Sequence, residues 1–408
     1  MNTSRQELIL KRSKGGLFMG RIIIFTGKGG VGKSSLSCAH AVKAAEEGRK
    51  TIIVSTVLGH NLSDIFEVQV KDEPVNVMKN LDALEIDPNH EMQINYGTIS
   101  EAFKNALGSE KKENLDTLED MVVFPGIEEL FSLIKIKDIY DENIYDLIIV
   151  DCAPTGETLS LLKFPELFSW YMEKLFPIGK VALKVLRPVS KMAFKIELPN
   201  KKALNDFERL YVKLGELQNL LKDRDVCSIR IVSILEKMVL EECKRSYMYL
   251  NLYNFNVDGL YINRVIPKEA DSSFFDEWKV IQNKYYEEYK SVFSEIPMFK
   301  IKWYESDING IKGLKRICED SLAYENIFDV LKKNYNDIFE KVEGGYKLTV
   351  NIPFADKEKF DLYRSNNELI IKIGNFKRNI PTPDVLNKYD VSKAKLREGK
   401  LIIDFLNY

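Results

Sequence analysis

Two hydrophobic periods divide the chain. Up to about residue 335, short continuous apolar runs alternate with stretches whose apolar positions recur every three to four residues. The runs are Arg21-Ile22-Ile23-Ile24-Phe25, Thr51-Ile52-Ile53-Val54-Ser55 and residues 145–151, 227–232 and 257–262. Continuous apolar character marks strands covered on both faces of a parallel sheet. The intervening stretches predict helices over 36–47, 201–221, 236–250, 272–290 and 311–334. Strands alternating with helices predict an α/β fold built on a mostly parallel, doubly wound sheet. Leu84 to Pro88 reads as a strand end followed by a helix start. Residues about 89–140 and 160–222 carry helical spacing and predict a helical subdomain. After Gly344-Gly345 the period changes to two, in short runs separated by Asn366-Asn367, Gly374-Asn375, Pro381-Thr382-Pro383 and Glu398-Gly399. That pattern predicts a small all-β sandwich over residues 345–408, following a domain over 19–335.

Between the first run and the first helix lies Gly27-Lys28-Gly29-Gly30-Val31-Gly32-Lys33-Ser34-Ser35. Strand, glycine-rich loop and helix is the setting in which G-x-x-x-x-G-K-[ST] holds phosphates, so the domain reads as a P-loop NTPase. Gly27, Gly29, Gly30 and Gly32 let the backbone aim its N–H groups inward. The helix that follows adds unpaired N–H groups and its positive end. Lys33 supplies a point charge to the β- and γ-phosphates, and Ser34 is a ligand for Mg²⁺. Val31 and Ser35 complete the cradle. Asp151 ends its apolar run, where open α/β sheets place ligand chemistry, and reads as the acid that holds Mg²⁺ through water. ATP and Mg²⁺ are therefore the expected cofactors.

Composition narrows the partners more than the fold. Acids and bases nearly cancel over 408 residues, leaving a formal charge of -2, so nothing points to nucleic acid. The five cysteines, Cys38, Cys152, Cys227, Cys243 and Cys318, form no C-x-x-C pair. That argues against a disulfide framework or zinc site and fits a reducing cytoplasm. No apolar run reaches the roughly 18 residues of a membrane span, so no transmembrane segment is expected.

The run from Asp151 to Pro165, D-C-A-P-T-G-E-T-L-S-L-L-K-F-P, resembles the switch II sequence of the ArsA and Get-type ATPases. That group belongs to the P-loop superclass with a second loop lysine, which Lys28 matches. Leu84 to Pro88 resembles its E-I-D-P segment, and Pro125 to Glu129 its P-G-x-[DE]-E. Asn263-Arg264-Val265-Ile266-Pro267 resembles its N-R-V-x-P, and Tyr304 to Leu314 the loop that closes over the base. The tail resembles the α-crystallin-like domain of some bacterial and plastid members. The resemblance implies a homodimer in which Lys28 reaches the partner's nucleotide, Asn263 reads adenine, and Pro297 lies at the nucleotide. It also implies a hydrophobic client or membrane-protein partner.

Two departures qualify that picture. The family's switch I reads S-T-D-P-A-H-S-L-S-D, and here Val57 and Leu58 replace its aspartate and proline. Valine cannot take a proton, and losing a water-orienting base commonly costs 10²–10⁴-fold in rate. Slow hydrolysis is therefore expected. Glu157, where the family has histidine, either substitutes as the catalytic carboxylate or is a solvated loop residue. The second departure is the missing cysteine cluster of the arsenite pump and the missing zinc pair of the eukaryotic targeting factor. An arsenite efflux ATPase subunit and a nucleotide-sensing module with little hydrolysis stay open as alternatives. The apolar segment with Phe168, Trp170, Met172, Leu175, Phe176, Met192 and Phe194 is either a client groove or helix packing over the sheet.

Residues 1–18 are polar and basic, and Met19-Gly20-Arg21 is a natural start just before the first run. Lys14-Gly15-Gly16 can be encoded by a purine-rich ribosome-binding sequence upstream of Met19. Translation is expected to begin at Met19. Intact mass of the natively expressed protein checks this, and a mature chain beginning at Met1 refutes it.

Overall fold

The computed structural model describes residues 20–152 except 58–60, 89, 92 and 96–126. It further describes residues 201–406 except 325, 334–336, 357–359, 366–367, 375, 383–385 and 387. The N-terminal extension, Leu58, Glu157, much of the expected helical subdomain and the apolar segment from Phe168 to Phe194 lie outside the described residues.

Eight strands form the main sheet: β1 (Arg21–Thr26), β2 (Thr51–Ser55), β3 (Val75–Met78), β4 (Leu81–Glu85), β5 (Leu147–Asp151), β6 (Cys227–Ile234), β7 (Val257–Val265) and β8 (Met298–Lys302). Their order across the sheet is β3-β4-β2-β5-β1-β6-β7-β8. β2 runs parallel to β4 and β5, and β7 parallel to β6 and β8. The edge strand β3 pairs antiparallel with β4. The continuous apolar runs become strands buried at every position in β2, β5 and β6, as a sheet covered on both faces requires. The helices are α1 (Lys33–Glu46), α2 (Asn61–Phe66), α3 (Ile127–Asp141), α4 (Lys201–Lys222), α5 (Lys237–Leu252), α6 (Ser273–Val292) and α7 (Gly310–Ser321).

The described chain separates into two compact units. The first takes in Ser34–Leu221 and Ile308–Cys318. There α7 meets α1 through the Cys318 thiol, which donates to the Ala39 carbonyl at 3.1 Å, and through Lys315 and Glu46 at 2.8 Å. The second takes in Ile23–Lys33, Lys222–Asp307 and Glu319–Tyr408. Its core is tied by Arg230, the largest fully buried side chain. Arg230 Nε donates to Asp258 Oδ1, Nη1 to the Tyr261 hydroxyl and Nη2 to the Asp329 carbonyl, each at 3.3 Å. Burial disfavours the charged guanidinium, but Tyr261 and Asp258 outweigh it and hold its pKa above the usual value.

That network accounts for a correction. Helical spacing predicts a helix to residue 334, yet α7 stops at Ser321. The apolar positions beyond it, Leu322, Ile327 and Phe328, are buried anchors of an irregular strap. Its backbone is satisfied by side chains of β6, β7 and the turn before β7 instead of by a helical ladder. The Asp329 and Lys332 carbonyls accept from Arg230 and Asn256, and Leu331 N donates to Asp258 Oδ2 at 3.1 Å. β3 and β8 were likewise not legible as strands, being short and flanked by polar residues, whereas the end of β4 was legible at Leu84 and Glu85.

The second unit also holds the C-terminal β region. A four-stranded antiparallel sheet, β14-β15-β10-β9, comprises β9 (Asp337–Val342), β10 (Gly345–Asn351), β14 (Asp390–Arg397) and β15 (Lys400–Leu406). A three-stranded sheet comprises β11 (Phe360–Ser365), β12 (Glu368–Ile373) and β13 (Phe376–Pro381). Alternation puts Leu348 and Val350, Leu369, Ile371 and Ile373, and Leu401, Ile403 and Phe405 inside. β9 begins before the change of period at Gly344-Gly345, because it is largely exposed and has no alternation to read. The region sits against α5: the Tyr253 hydroxyl donates to the Lys377 carbonyl at 2.9 Å, and the Phe354 ring lies 6.4 Å from Tyr247 and 6.0 Å from Phe293.

Asp258→Ala leaves Arg230 buried without its carboxylate and should destabilise the protein by about 3–5 kcal/mol. The double replacement Arg230→Met with Asp258→Leu should recover much of that loss. Denaturant unfolding of the three proteins checks both statements.

Candidate functional site

The loop after β1 is shaped by what its neighbours leave no room for. Gly27 has φ +154°, and a Cβ there would lie 2.2 Å from the Val232 carbonyl oxygen. Gly32 has φ +90°, and a Cβ there would lie 2.2 Å from Asn263 Nδ2. Both positions demand glycine on conformation and on space. Between them Gly29 and Gly30 are exposed, Lys28 is half-buried and Val31 is buried. Lys33 is 7% exposed, and its Nζ donates to the Lys28 carbonyl at 3.3 Å. The amine is thereby folded back over the loop. α1 opens with Lys33, Ser34 and Ser35 and has no acid in its first turn. The positive helix end and the lysine charge thus point to the same ligand class, an anion.

Asn263 locks this loop from the side. It follows the buried part of β7, which ends at Ile262, and its Nδ2 donates to the Val31 carbonyl at 2.8 Å. Its Oδ1 accepts from Arg264 N at 2.9 Å. The second unit therefore brings Gly27, Lys28, Gly32, Lys33 and Asn263 into one local arrangement. Pro297 is not part of it. It precedes β8, its carbonyl accepts from Leu260 N at 2.9 Å, and that places it toward the N-terminal end of strands whose C-terminal ends carry Asn263. A cavity of about 230 Å³ opens beside Arg264, lined also by Glu236, Phe274, Trp278, Gln282 and Trp303. The α6 residues of this cavity carry no motif and were missed by sequence reasoning.

In the first unit the C-terminal ends of β5, β2 and β4 carry the remaining polar groups. Asp151 is fully buried at the last position of β5. Thr56 N donates to the Asp151 carbonyl at 3.1 Å, and Val57 N donates to Ser55 Oγ at 3.2 Å. Val57 is half-buried. Ser34 belongs to this unit, held by its carbonyl accepting from Ser37 Oγ at 2.9 Å. Glu85 anchors the segment that follows Val57. Its Oε1 accepts from Leu62 N at 2.8 Å and Ser63 N at 3.2 Å, and its Oε2 from Ser63 Oγ at 3.2 Å. The short helix α2 thus starts on a buried carboxylate. The only sequence signal for it was the acid in the E-I-D-P segment.

All five cysteines are buried and unbridged. Burial, reinforced by Asp151, pushes the Cys38 thiol well up, and burial pushes Cys318 up to about 12. Buried, protonated thiols of this kind pack as small apolar core residues. Among the described residues no group of three His, Cys, Asp or Glu side chains could hold a metal ion. Among them too, no helix is long and apolar enough to cross a membrane.

Two protein families match successive parts of the chain. The anion-transporting ATPase family matches residues 20–322, and an HSP20-like domain found in ArsA matches residues 343–405. A protein of Aquifex aeolicus, provisionally named arsenical pump-driving ATPase 1, is 32% identical over 94% of this chain and 99% of its own. A similarly named protein of Prosthecochloris vibrioformis is 33% identical over 94% of this chain and 96% of its own. The ATPase get3 of Botryotinia fuckeliana is 29% identical over 73% of this chain and 88% of its own.

Glu85→Ala removes three hydrogen bonds from the start of α2. Amide exchange at Leu62 and Ser63 should rise by about one to two orders of magnitude, equivalent to about 1–3 kcal/mol of lost local protection. Exchange in β5 should stay unchanged, and exchange-coupled mass spectrometry or NMR reads both.

Proposed function

The chain belongs to the anion-transporting ATPase family, and we propose that it is a homodimeric, Mg²⁺-dependent ATPase whose nucleotide clamps two subunits together and which hydrolyses ATP slowly. The observation that carries the reading is the loop itself: an anion cradle at a helix start, with a buried lysine over it and an asparagine latched to its backbone. Lys33 and Lys28 are assigned to the phosphates, Lys28 across the dimer, and Asn263 to adenine. Gly27 to Ser35 supply the backbone donors.

The donor set also fits a hard divalent cation. Ser34 offers a hydroxyl and Asp151 a carboxylate, both oxygen, which suits Mg²⁺ better than a sulfur-loving metal. When bound, Mg²⁺ neutralises phosphate charge there. The rest of the mechanism belongs to the protein. The loop N–H groups and Lys33 hold the phosphates in place. The buried position of Asp151 keeps it screened from competing water. At position 57 the side chain repels water and holds no proton, so hydrolysis depends on a group elsewhere. Glu157 is assigned that role. The apolar segment with Phe168, Trp170, Met172, Leu175, Phe176, Met192 and Phe194 is assigned to a hydrophobic client or membrane-protein partner.

Val57 favours a second reading, a nucleotide-sensing module that scarcely hydrolyses. An arsenite-driven pump finds less support, because the five cysteines are buried and do not cluster. Single-turnover hydrolysis with enzyme in excess separates the readings. The wild type should cleave bound ATP at a rate 10²–10⁴-fold below an aspartate-bearing relative, and Val57→Asp should recover at least tenfold. A wild-type rate equal to that relative's removes the slow-ATPase proposal. No cleavage at all, with ATP still bound, favours the sensor.

A further inference from the structure

We propose that Gln282 is a positioning residue for Asn263, holding the strand end that carries it in the one conformation that reaches the loop. The proposal rests on the reading of this site as an ATP site.

The need for such a residue comes from β7. Its pairing with β8 runs from Leu260 to Ile262 and then slips, resuming only at Val265 opposite Lys302. At the slip Arg264 takes φ +53°, a left-handed conformation uncommon for a residue other than glycine, which its surroundings must hold. The strand end keeps its pairing with β6 only as far as Asn263 opposite Ile234, and its ladder to β8 is broken there.

Gln282 takes the place of the missing strand. Its Oε1 accepts from Ile266 N at 3.0 Å, and its Nε2 donates to the Arg264 carbonyl at 3.0 Å. A primary amide that pairs with the C=O of one residue and the N–H of the next but one reproduces what a neighbouring strand offers. Trp303 N closes the third bond, to the Val265 carbonyl between them, at 2.8 Å. From Arg264 the order passes to the site directly. Its N–H is held by Asn263 Oδ1 at 2.9 Å, and Asn263 Nδ2 reaches the Val31 carbonyl at 2.8 Å. Loss of Gln282 releases Arg264 from its left-handed turn and lets Asn263 rotate off the loop.

Helix α6 does not need Gln282 for its own placement. Ser272 caps its start by accepting from Phe274 N, and fully buried Tyr289 fixes its far end by donating to the Ile234 carbonyl at 3.2 Å. The glutamine itself is half-buried and lines the cavity beside Arg264. Its amide is spent on the base-reading strand end, not on the core.

The test compares a ligand with a base against one without. Equilibrium titration measures the dissociation constants of ATP and of inorganic tripolyphosphate, each with Mg²⁺, for the full chain and for Gln282→Leu. The ratio of the two constants, ATP over tripolyphosphate, should rise about tenfold in the variant, as expected for the loss of two hydrogen bonds. Tripolyphosphate binding should weaken less than ATP binding, because the released latch loosens the loop for both ligands while only ATP loses its base contact, and preference for ATP over GTP should shrink. A ratio that rises less than threefold overturns the proposal. If Gln282→Leu does not fold, Gln282→Glu, which keeps the acceptor for Ile266 N and loses the donor to Arg264, carries the test. Its ratio should rise about threefold, and a ratio within twofold of wild type overturns the proposal. A wild type that binds tripolyphosphate as tightly as ATP instead refutes the reading of the site, whatever Gln282 does.

Discussion

The contact between Asn263 and the loop backbone is the constraint on which the site depends. The Asn263 amide sits where a Cβ on Gly32 would be and bonds the Val31 carbonyl. One residue thereby fixes a loop that is otherwise made of glycine and has few side chains of its own to hold it. A glycine-rich loop gains access to left-handed conformations at the cost of backbone entropy, and an outside ligand of its carbonyls offsets that cost. The strand end that supplies this ligand is irregular in turn, with Arg264 at positive φ. Rigidity at the loop has been moved one shell outward, to β7, β8 and α6.

Much of the fold was legible from burial demands alone. Strands β1, β2, β5, β6 and β7 read as continuous apolar runs because both faces of a parallel sheet are covered. Glycines at fixed spacing located the loop, since backbone conformation there is dictated by sequence. What was not legible shares a physical character. The strap after α7 carries apolar residues at helical spacing, but its backbone polar groups are satisfied by Arg230, Asp258 and Asn256, residues far off in sequence. Spacing reports which residues are buried and not what their backbone bonds to. β9 and β3 were invisible for the opposite reason: they are exposed or short, so pairing and not burial defines them. Glu85 and Gln282 escaped as well, because capping and strand-mimicking are acts of a single side chain on a distant backbone and leave no periodic trace.

The C-terminal region illustrates how such distant contacts shape a unit. Its two sheets bury their own alternating faces, and it meets the ATPase fold through aromatic edges and one hydroxyl. Phe354 packs against the paired rings of Tyr247 and Phe293, while Tyr253 bonds the Lys377 carbonyl. Such a contact is modest beside the buried Arg230 network. The strap that Arg230 holds is also the chain's route from α7 toward β9. The buried ion pair thus fixes where the C-terminal region begins, a positional role that an apolar replacement of equal stability would fill less selectively.

In the proposed reading, position 57 sets the balance between holding a nucleotide and cleaving it. The residues proposed to grip phosphate, the glycines, the lysines, the serine and the buried aspartate, match the family's motifs. The departures include Val57 and Leu58 just after β2, where Val57 puts a methyl-bearing surface in the place of a proton acceptor. Tight binding together with weak water activation lengthens the time that nucleotide stays intact on the protein. An ATPase that uses nucleotide to hold a conformation benefits from a long-lived bound state, whereas one that drives repeated transport needs rapid turnover. On that reading, the chemistry at Val57 favours a holding role over a pumping one.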